Sequence, residues 1–283
     1  MTLQTKIRNT ALMILSCMFI LCSCGSQEIA QVEAPEAEWN FKVYFTDSGK
    51  ADAIILKTEN NCAVIDCGEK GDGDDVLTYL DQIGVSTVDY LFITHFDKDH
   101  VGGAPKVING IDVEEIVIPD YEGNNSEYEK FVEALEENNI TPTVLKENMT
   151  LTLDDVLLQI YPPMRSSYKE SDNDFSLCIG VTHGGNTFLF AGDAEEDRLK
   201  ELPKQMNMEH IFLKVPHHGR YNDRTETFFE SVSPKYAVIT CSEKNPADDE
   251  VLEILNGMGC QVYQTVDGPV VVLSDGKNLT VSQ

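Results

Sequence analysis

Basic residues and histidines are scarce in this sequence. Its 283 residues include 21 lysines and arginines against 48 aspartates and glutamates, which gives a formal net charge of −27. A surface of this sign repels polyanions, which argues against general binding of long nucleic acids while leaving room for a local basic patch. The chain contains only six histidines. A cluster that holds several of them is therefore informative.

Cysteine pairs with metal-binding spacing are also missing. Three of the eight cysteines lie within the first 24 residues, and the other five contain no CxxC pair. Most of these five lie in apolar runs, where cysteine behaves as a small hydrophobic residue. A zinc–thiolate site is therefore not expected. One disulfide bond is compatible with the sequence, but its pairing cannot be read from it. The five are Cys62, Cys67, Cys178, Cys241 and Cys260.

The N-terminal apolar run is short. Residues 11–21 are almost wholly apolar, which is too short to span a bilayer comfortably, and two basic residues precede them. Residues 21–24 (LCSC) are similar to a bacterial lipobox. We therefore predict a lipoprotein signal peptide over residues 1–23, lipidation of Cys24 and an acidic tether over residues 24–38. The protein would then lie outside the cell, anchored by lipid; an ordinary signal peptide or an uncleaved anchor is the alternative.

The pattern changes at Trp39. From there strand signals come first, helices then alternate with strands, and the succession occurs twice without a linker. This order predicts one α/β domain over residues 39–283, with two sheets packed together and helices outside. One helix is predicted over residues 126–138, where Ser126 and Glu129 have the spacing of a capping box.

The densest group of potential metal ligands lies in residues 94–103 (THFDKDHVGG), directly after a predicted buried strand. Zinc, manganese and iron accept imidazole nitrogens and carboxylate oxygens. In an extended chain His95, Asp97 and Asp99 would share one side, and His100 needs a turn to join them. A polar loop with chance histidines is the alternative.

Three further polar groups follow predicted strands. Asp66 comes after residues 64–65, Asp193 after residues 188–191, and the pair His217-His218 after residues 213–215. Each pattern alone is common in turns. Together with the first group they predict a shared metal site at loops held by a rigid scaffold.

Six stretches together resemble the metallo-β-lactamase fold, in the branch that includes the nuclease-like domain of the competence protein ComEC. The resemblance covers about residues 41–282 and implies a four-layer αββα sandwich with its metals at a shared edge. The stretches are residues 47–53 (DSGKADA), 65–68 (IDCG), 94–103, 173–176 (NDFS), 191–194 (AGDA) and 213–219 (LKVPHHG).

The resemblance also implies roles for individual residues. Two divalent ions, zinc or manganese, are expected. The implied ligands are His95 and Asp97 for the first ion, Asp99, His100 and His218 (or His217) for the second, and Asp193 as a bridge. Asp99 and Asp193 are also expected to take part in catalysis. Residues expected to orient these ligands or support the site are Asp66, Asn173 and Ser176.

These features predict a metal-dependent hydrolase, most directly a phosphodiesterase or nuclease-type enzyme that uses metal-bound hydroxide. Its substrate would be a phosphodiester or another small hydrolysable molecule. Nucleic acid is a possible partner, although the net charge disfavours it. Membrane contact is expected only through the N-terminal lipid. The alternatives are hydrolysis of another ester or amide, including a lactam or thioester, and a non-catalytic lipoprotein that binds metal or a partner. Arg220, at a position where this branch commonly has serine, is predicted to contact substrate, and Lys98, Lys214 and Arg224 are weaker candidates for phosphate contacts.

Overall fold

The computed structural model describes residues 39–46, 48–169 and 172–283. These residues form two facing β-sheets, and helices cover the outer surface of each sheet. The predicted four-layer α/β sandwich is therefore confirmed. The predicted signal peptide, the lipidated Cys24, most of the tether and position 47 lie outside the described residues, and the predicted domain boundaries stay predictions.

The first sheet is mixed and has eight strands. Side by side they are β15 (Leu279–Ser282), β14 (Val270–Ser274), β1 (Phe41–Phe45), β2 (Ile54–Lys57), β3 (Cys62–Ile65), β4 (Thr87–Phe92), β5 (Asp112–Pro119) and β6 (Thr143–Leu145). The helices that connect its strands are α1 (Asp72–Gln82), α2 (Lys98–Val101), α3 (Ala104–Gly110) and α4 (Ser126–Glu137).

The second sheet has seven strands and the same style of connection. In spatial order they are β13 (Gln261–Gln264), β12 (Tyr236–Ile239), β11 (Phe212–Lys214), β10 (Asn186–Phe190), β9 (Cys178–His183), β8 (Val156–Tyr161) and β7 (Met149–Leu153). Its helices are α5 (Glu196–Gln205), α6 (Thr225–Val232) and α7 (Asp249–Gly257).

The layers are held together by apolar side chains that alternate along the strands. In β1 every second residue is buried between the sheets, as expected for a strand with one face towards a core. Phe45 lies at the centre of this inner core, with its ring centroid 6.5 Å from Phe190 and 6.0 Å from Phe212. Outer cores form where Phe131 of α4 packs on the first sheet and Phe229 of α6 packs on the second.

Both sheets present parallel strands that end at a common edge. β3, β4 and β5 run parallel in the first sheet, and β10, β11 and β12 run parallel in the second. Loops after parallel strands meet at the carboxyl edge of a sheet. The two edges are joined where the Leu177 amide, just before β9, donates to the Thr94 carbonyl after β4 at 2.9 Å. All the predicted ligands follow strands at this joint edge.

Three local features complete the description. The N-cap of α4 is Asn125, not Ser126: its side-chain oxygen accepts hydrogen bonds from the amides of Glu127 and Tyr128 at 3.1 and 2.9 Å. The five cysteines within the described residues are buried and carry free thiols. No helix in the described ranges has the length and apolar character needed to cross a membrane.

Candidate metal centre

The first ligand segment combines an extended stretch with a short helix. His95 follows β4, and Asp97, which has extended backbone, is the N-cap residue of α2. The helical turn then brings Asp99 and His100 back towards the strand ends, with the His100 amide donating to the Asp97 carbonyl at 3.0 Å. His95 and His100 are fully buried, whereas 40% of the Asp97 side chain is exposed. The turn that His100 requires is thus present, and it leaves Asp97 at the rim.

The second sheet supplies Asp193 and His218 from two sharp loops. Gly192, just before Asp193, has a φ of +55°, and the backbone at His217, His218 and Gly219 is left-handed, with φ of +48°, +53° and +75°. Non-glycine residues in this region are strained by contact of Cβ with the backbone. Strain of this kind persists only where the surrounding structure enforces it, and it is frequent at functional sites.

These loops bring the predicted ligands together. Asp193 Oδ2 lies 3.0 Å from His218 Nε2 and 3.3 Å from His100 Nε2, and Asp99 Oδ2 lies 3.4 Å from His218 Nε2. The ligand atoms of His95, His100 and Asp193 all lie within 4.8 Å of one another, as do those of Asp99, His100 and His218. Asp97 Oδ2 is 3.8 Å from His95 Nε2, at the margin of the first group.

The donor atoms at this centre fit a divalent cation. The Nε2 atoms of His95, His100 and His218 and the Oδ1 atom of Asp193 are buried and make no hydrogen bond of good geometry, although Asp193 Oδ2 lies within ion-pair distance of the His100 and His218 rings. Buried polar atoms without partners are costly and rare in folded proteins. Four that converge on one small region are accounted for by a cation that accepts imidazole and carboxylate ligands. The buried donor set therefore fits one or more divalent metal ions.

The opposite nitrogen of each imidazole is held by a partner. His95 Nδ1 is 3.1 Å from Thr94 Oγ1, and His100 Nδ1 is 2.8 Å from Asp66 Oδ2. His218 Nδ1 is 3.0 Å from Thr240 Oγ1. Such outer contacts fix the ring orientation and leave Nε2 available as the ligand atom.

Asp66 lies where the sequence predicts a supporting residue. It is fully buried and has a φ of +58°. Its carboxylate accepts hydrogen bonds from the Thr94 amide at 2.8 Å and from Thr94 Oγ1 at 2.7 Å, in addition to its contact with His100. The side chain therefore ties the β4 loop to the histidine of α2.

Sequence reasoning did not single out two residues that lie beneath the centre, Asp52 and Thr240. Thr240 Oγ1 donates to Asp52 Oδ1 at 2.6 Å and also contacts His218, while Lys214 Nζ contacts Asp52 Oδ2. Lys214 is fully buried and 3.7 Å from Asp193 Oδ1. It therefore pairs with carboxylates inside the protein and is sealed from solvent, which removes it from the candidates for phosphate contacts. A lysine within an apolar strand was the available signal, since a buried ammonium requires a carboxylate partner.

Burial and neighbouring charges set the protonation of the ligands. Burial raises the pKa of Asp193, but His218 and His100 outweigh it and hold that pKa well below the usual carboxyl value. Burial lowers the pKa of His95 well below its usual value, and His100 adds to the effect. Burial also raises the pKa of Asp99, yet contacts with His218, His100 and Lys50 keep it below the usual value. Burial also lowers the pKa of His100 and of His218, but Asp193 outweighs it and raises both above the usual imidazole value. Ionised carboxylates and neutral imidazoles are the forms that coordinate metals, so metal binding here would release protons from His100 and His218.

The remaining predicted residues lie around this centre. Ser176 Oγ accepts a hydrogen bond from the Asp193 amide at 3.1 Å, which anchors the bridging candidate. Asn173 Nδ2 donates to Glu195 Oε1 at 2.9 Å, and His217 Nδ1 lies 3.1 Å from the same oxygen. Of the two adjacent histidines, His218 thus points to the ligand cluster and His217 points to Glu195.

Arg220 follows this histidine pair on the surface. Its Nη1 donates to Asp248 Oδ1 at 2.7 Å, and 39% of its side chain is exposed. The guanidinium therefore has a carboxylate partner in this structure, and its predicted contact with substrate stays a prediction.

A family profile described as "Metallo-beta-lactamase superfamily" matches residues 47–242. The chain is similar to ComE operon protein 3 of Bacillus subtilis, with 28% identity over 198 residues that cover 68% of this chain and 25% of that protein. Recombination protein 2 of Haemophilus influenzae is 24% identical over 247 residues, which cover 85% of this chain and 29% of that protein. The chain thus spans less than a third of the length of either relative.

Among solved structures, the fold is similar to the metallo-β-lactamase fold protein YhfI from Bacillus subtilis. The TM-score is 0.52 at 12% identity, and the match covers 79% of this chain and 95% of that chain. The predicted resemblance to the ComEC-like branch is confirmed by the relatives, and the enzyme class is confirmed because members of this superfamily are metal-dependent hydrolases. With its profile match, its two-sheet fold and its His/Asp centre, the chain belongs to the metallo-β-lactamase superfamily.

Proposed function

We propose that this protein hydrolyses phosphodiesters with two divalent ions, zinc or manganese, at the cluster around Asp193. The observation that carries the proposal is the set of buried, unpartnered Nε2 atoms that converge with Asp193 from the edges of both sheets. When bound, divalent ions would supply Lewis acidity for a phosphoryl group and acidify a water molecule. The high share of carboxylates among the donors makes manganese a competitor of zinc.

The protein's own groups would orient the reacting molecules. Asp193 faces both ligand groups from a buried position, so its carboxylate suits a bridging role. Asp99 is the ligand candidate whose oxygen also contacts a rim cation, Lys50, and its proposed catalytic role is to orient the attacking water. The Nδ1 contacts to Asp66 and Thr240 keep the imidazoles from rotating during the reaction.

Two observations bear on the substrate. The similarity to the relative named Recombination protein 2 supports a phosphodiester, and Arg220 lies two residues after His218 at the rim. The formal net charge of −27 opposes long polyanions, since each added phosphate would meet an acidic surface. We therefore propose short or single-stranded substrates. The same acidity favours the alternative, a hydrolase of a neutral ester, amide, lactam or thioester.

A side-by-side assay tests this proposal. The purified, metal-loaded protein would be given bis(p-nitrophenyl) phosphate, single-stranded DNA and a chromogenic lactam, with Asp193→Ala as the control. Elemental analysis should find one to two metal ions per chain, the range for sites of this type. Hydrolysis of the phosphodiester alone supports the proposal. Cleavage of the lactam alone supports the alternative hydrolase, and metal binding without any turnover supports a binding lipoprotein.

We also propose that the enzyme is tethered to the outer face of the cell membrane through lipid on Cys24. The support is the lipobox-like sequence of residues 21–24. The wild-type chain should partition with membranes and begin at Cys24 after processing, whereas Cys24→Ser should remain unprocessed. Identical mature N-termini in the two proteins would contradict the proposal.

A further inference from the structure

Lys50 lies on a turn whose backbone is held at both ends. Gly49 has a φ of +63°, a conformation that favours glycine. The Gly49 carbonyl accepts a hydrogen bond from Thr265 Oγ1 at 3.0 Å, and the Asp52 amide donates to the Asp99 carbonyl at 3.1 Å. The backbone beneath Lys50 is therefore fixed, while its long side chain reaches across the mouth of the centre.

The ammonium of Lys50 shares an oxygen with the metal centre. Lys50 Nζ contacts Asp99 Oδ2, the same atom that lies 3.4 Å from His218 Nε2. Asp99 is only 5% exposed, whereas 28% of the Lys50 side chain is exposed. The buried Asp99 carboxylate thus contacts the His218 imidazole inside the protein and the partly exposed Lys50 ammonium at the surface.

The other cations near the centre have different surroundings. Lys214 also contacts a predicted ligand, Asp193, but it is sealed inside and paired with Asp52. Arg220 is exposed but pairs with Asp248. Among the residues that the structure describes, Lys50 is the cation that both contacts a predicted ligand and reaches solvent.

We propose that Lys50 has two roles: it holds Asp99 while the second ligand group lacks a cation, and it contacts an anionic oxygen of the substrate once that cation is bound. The second role rests on the proposed function. An ammonium and a divalent ion repel one another when both contact Asp99 Oδ2, so we expect Lys50 to move away from this oxygen as the ion binds. Its flexible four-carbon stem allows this movement, and the freed ammonium remains at the mouth of a centre where a phosphoryl oxygen would lie.

The first experiment measures metal binding without turnover. Manganese would be titrated into metal-free wild type, Lys50→Gln and Lys106→Gln, with free Mn²⁺ followed by electron paramagnetic resonance. Lys106 forms an exposed ion pair with Asp74, so Lys106→Gln removes the same charge away from the centre. Lys50→Gln should bind the weaker of two ions about three- to tenfold more tightly, since a charge-assisted competitor is gone. Equal or weaker binding than in Lys106→Gln would overturn the first role.

The second experiment measures anion binding, also without turnover. Inorganic phosphate would be titrated by calorimetry into metal-saturated wild type, Lys50→Gln, Lys106→Gln and Lys50→Arg. Lys50→Gln should bind phosphate about tenfold more weakly, Lys106→Gln should match wild type, and Lys50→Arg should recover most of the affinity. Unchanged phosphate binding in Lys50→Gln, or no binding to wild type, would overturn the second role. If both roles hold but wild type cleaves no phosphodiester, the proposed reaction fails and the inference on Lys50 stands.

Discussion

The two sides of the metal centre differ in how firmly their polar groups are held. The inner wall consists of residues that are at most 2% exposed and contact one another or a histidine ligand: Asp52, Asp66, Lys214 and Thr240. The outer rim consists of residues with 28% to 40% of their side chains exposed: Lys50, Asp97, His217 and Arg220. Both sides are polar and charged, yet only the wall is sealed from water.

This difference separates two tasks. A sealed and fully paired wall cannot rearrange without leaving buried polar atoms unsatisfied, which is costly, so it fixes the positions of the ligand atoms. Rim residues can exchange their present partners for water or substrate at little cost. We infer that the wall contributes most to metal affinity and that the rim contributes most to substrate choice.

The largest effect is expected where both ligand groups meet. Asp193→Ala should lose more than half of the bound metal and lower hydrolysis by more than about a hundredfold, because even outer contacts of a ligand are worth ten- to hundredfold. Elemental analysis and the phosphodiester assay measure this. The control is His183→Ala, which removes a buried hydrogen bond to Ser274 of 2.8 Å at the far end of β9 and should leave metal content unchanged. Equal metal loss in the two variants would contradict the assignment of Asp193.

The next effect tests the wall directly. Thr240→Val keeps the shape of the side chain but removes the hydroxyl between Asp52 and His218. Metal affinity should fall by about tenfold or more, and the free energy of unfolding by about 1–3 kcal/mol, because two buried groups lose a partner. Chelator competition and chemical denaturation measure the two changes. Thr240→Ser should restore both, and a valine variant with wild-type affinity would show that the wall does not position His218.

A smaller effect is expected for the ligand candidate on the rim. Asp97 lies 3.8 Å from His95 Nε2 and is partly open to water, so water can replace its carboxylate. Asp97→Asn should weaken the affinity for one ion by about tenfold or less, with the other ion unaffected. Manganese titration resolves the two ions. If Asp97→Asn lost as much metal as Asp193→Ala, water would not replace the Asp97 carboxylate, and Asp97 would be as important for metal binding as the buried ligand.

The smallest effect concerns Arg220. Arg220→Ala should slow turnover of a phosphodiester by about two- to fivefold, as expected for an exposed charge, with metal content unchanged. The Asp248→Asn variant separates two explanations, because Asp248 holds the guanidinium and accepts from the Tyr221 amide at 2.8 Å. If Arg220 contacts substrate, Asp248→Asn keeps its activity. If the ion pair braces the loop after His218, both variants are equally slow.

The sequence predicted the elements that depend on local pattern. Apolar runs end shortly before His95, Asp193 and His218, so the sequence showed that each of these residues follows a strand. Parallel strands bring their carboxyl ends to one edge of a sheet, which explains why the three residues meet. The two-sheet architecture followed from the order of strand and helix signals, because each element must bury its apolar face against another layer.

Features that depend on long-range contacts were not predictable in the same way. The pairing of Asp52 with Lys214 joins the two sheets, and no local pattern links residues so far apart in the chain. The predicted N-cap of α4 was also wrong, because two adjacent residues can both cap a helix. Asn125 caps α4 although Ser126 and Glu129 have the spacing of a capping box. Similarly, the pairing of Arg220 with Asp248 depends on how the loop before α7 folds back.

The division of the ligands between two sheets also sets the order in which the protein can mature. His95, Asp99 and His100 follow the first sheet, while Asp193 and His218 follow the second. A nascent chain that has formed only β1 to β6 lacks the donors of Asp193 and His218, so tight metal uptake is expected after the sheets have docked. An ion held by residues of both sheets would join the halves of the sandwich and slow their separation. Metal loading would then mark the end of folding and prolong the lifetime of the finished protein.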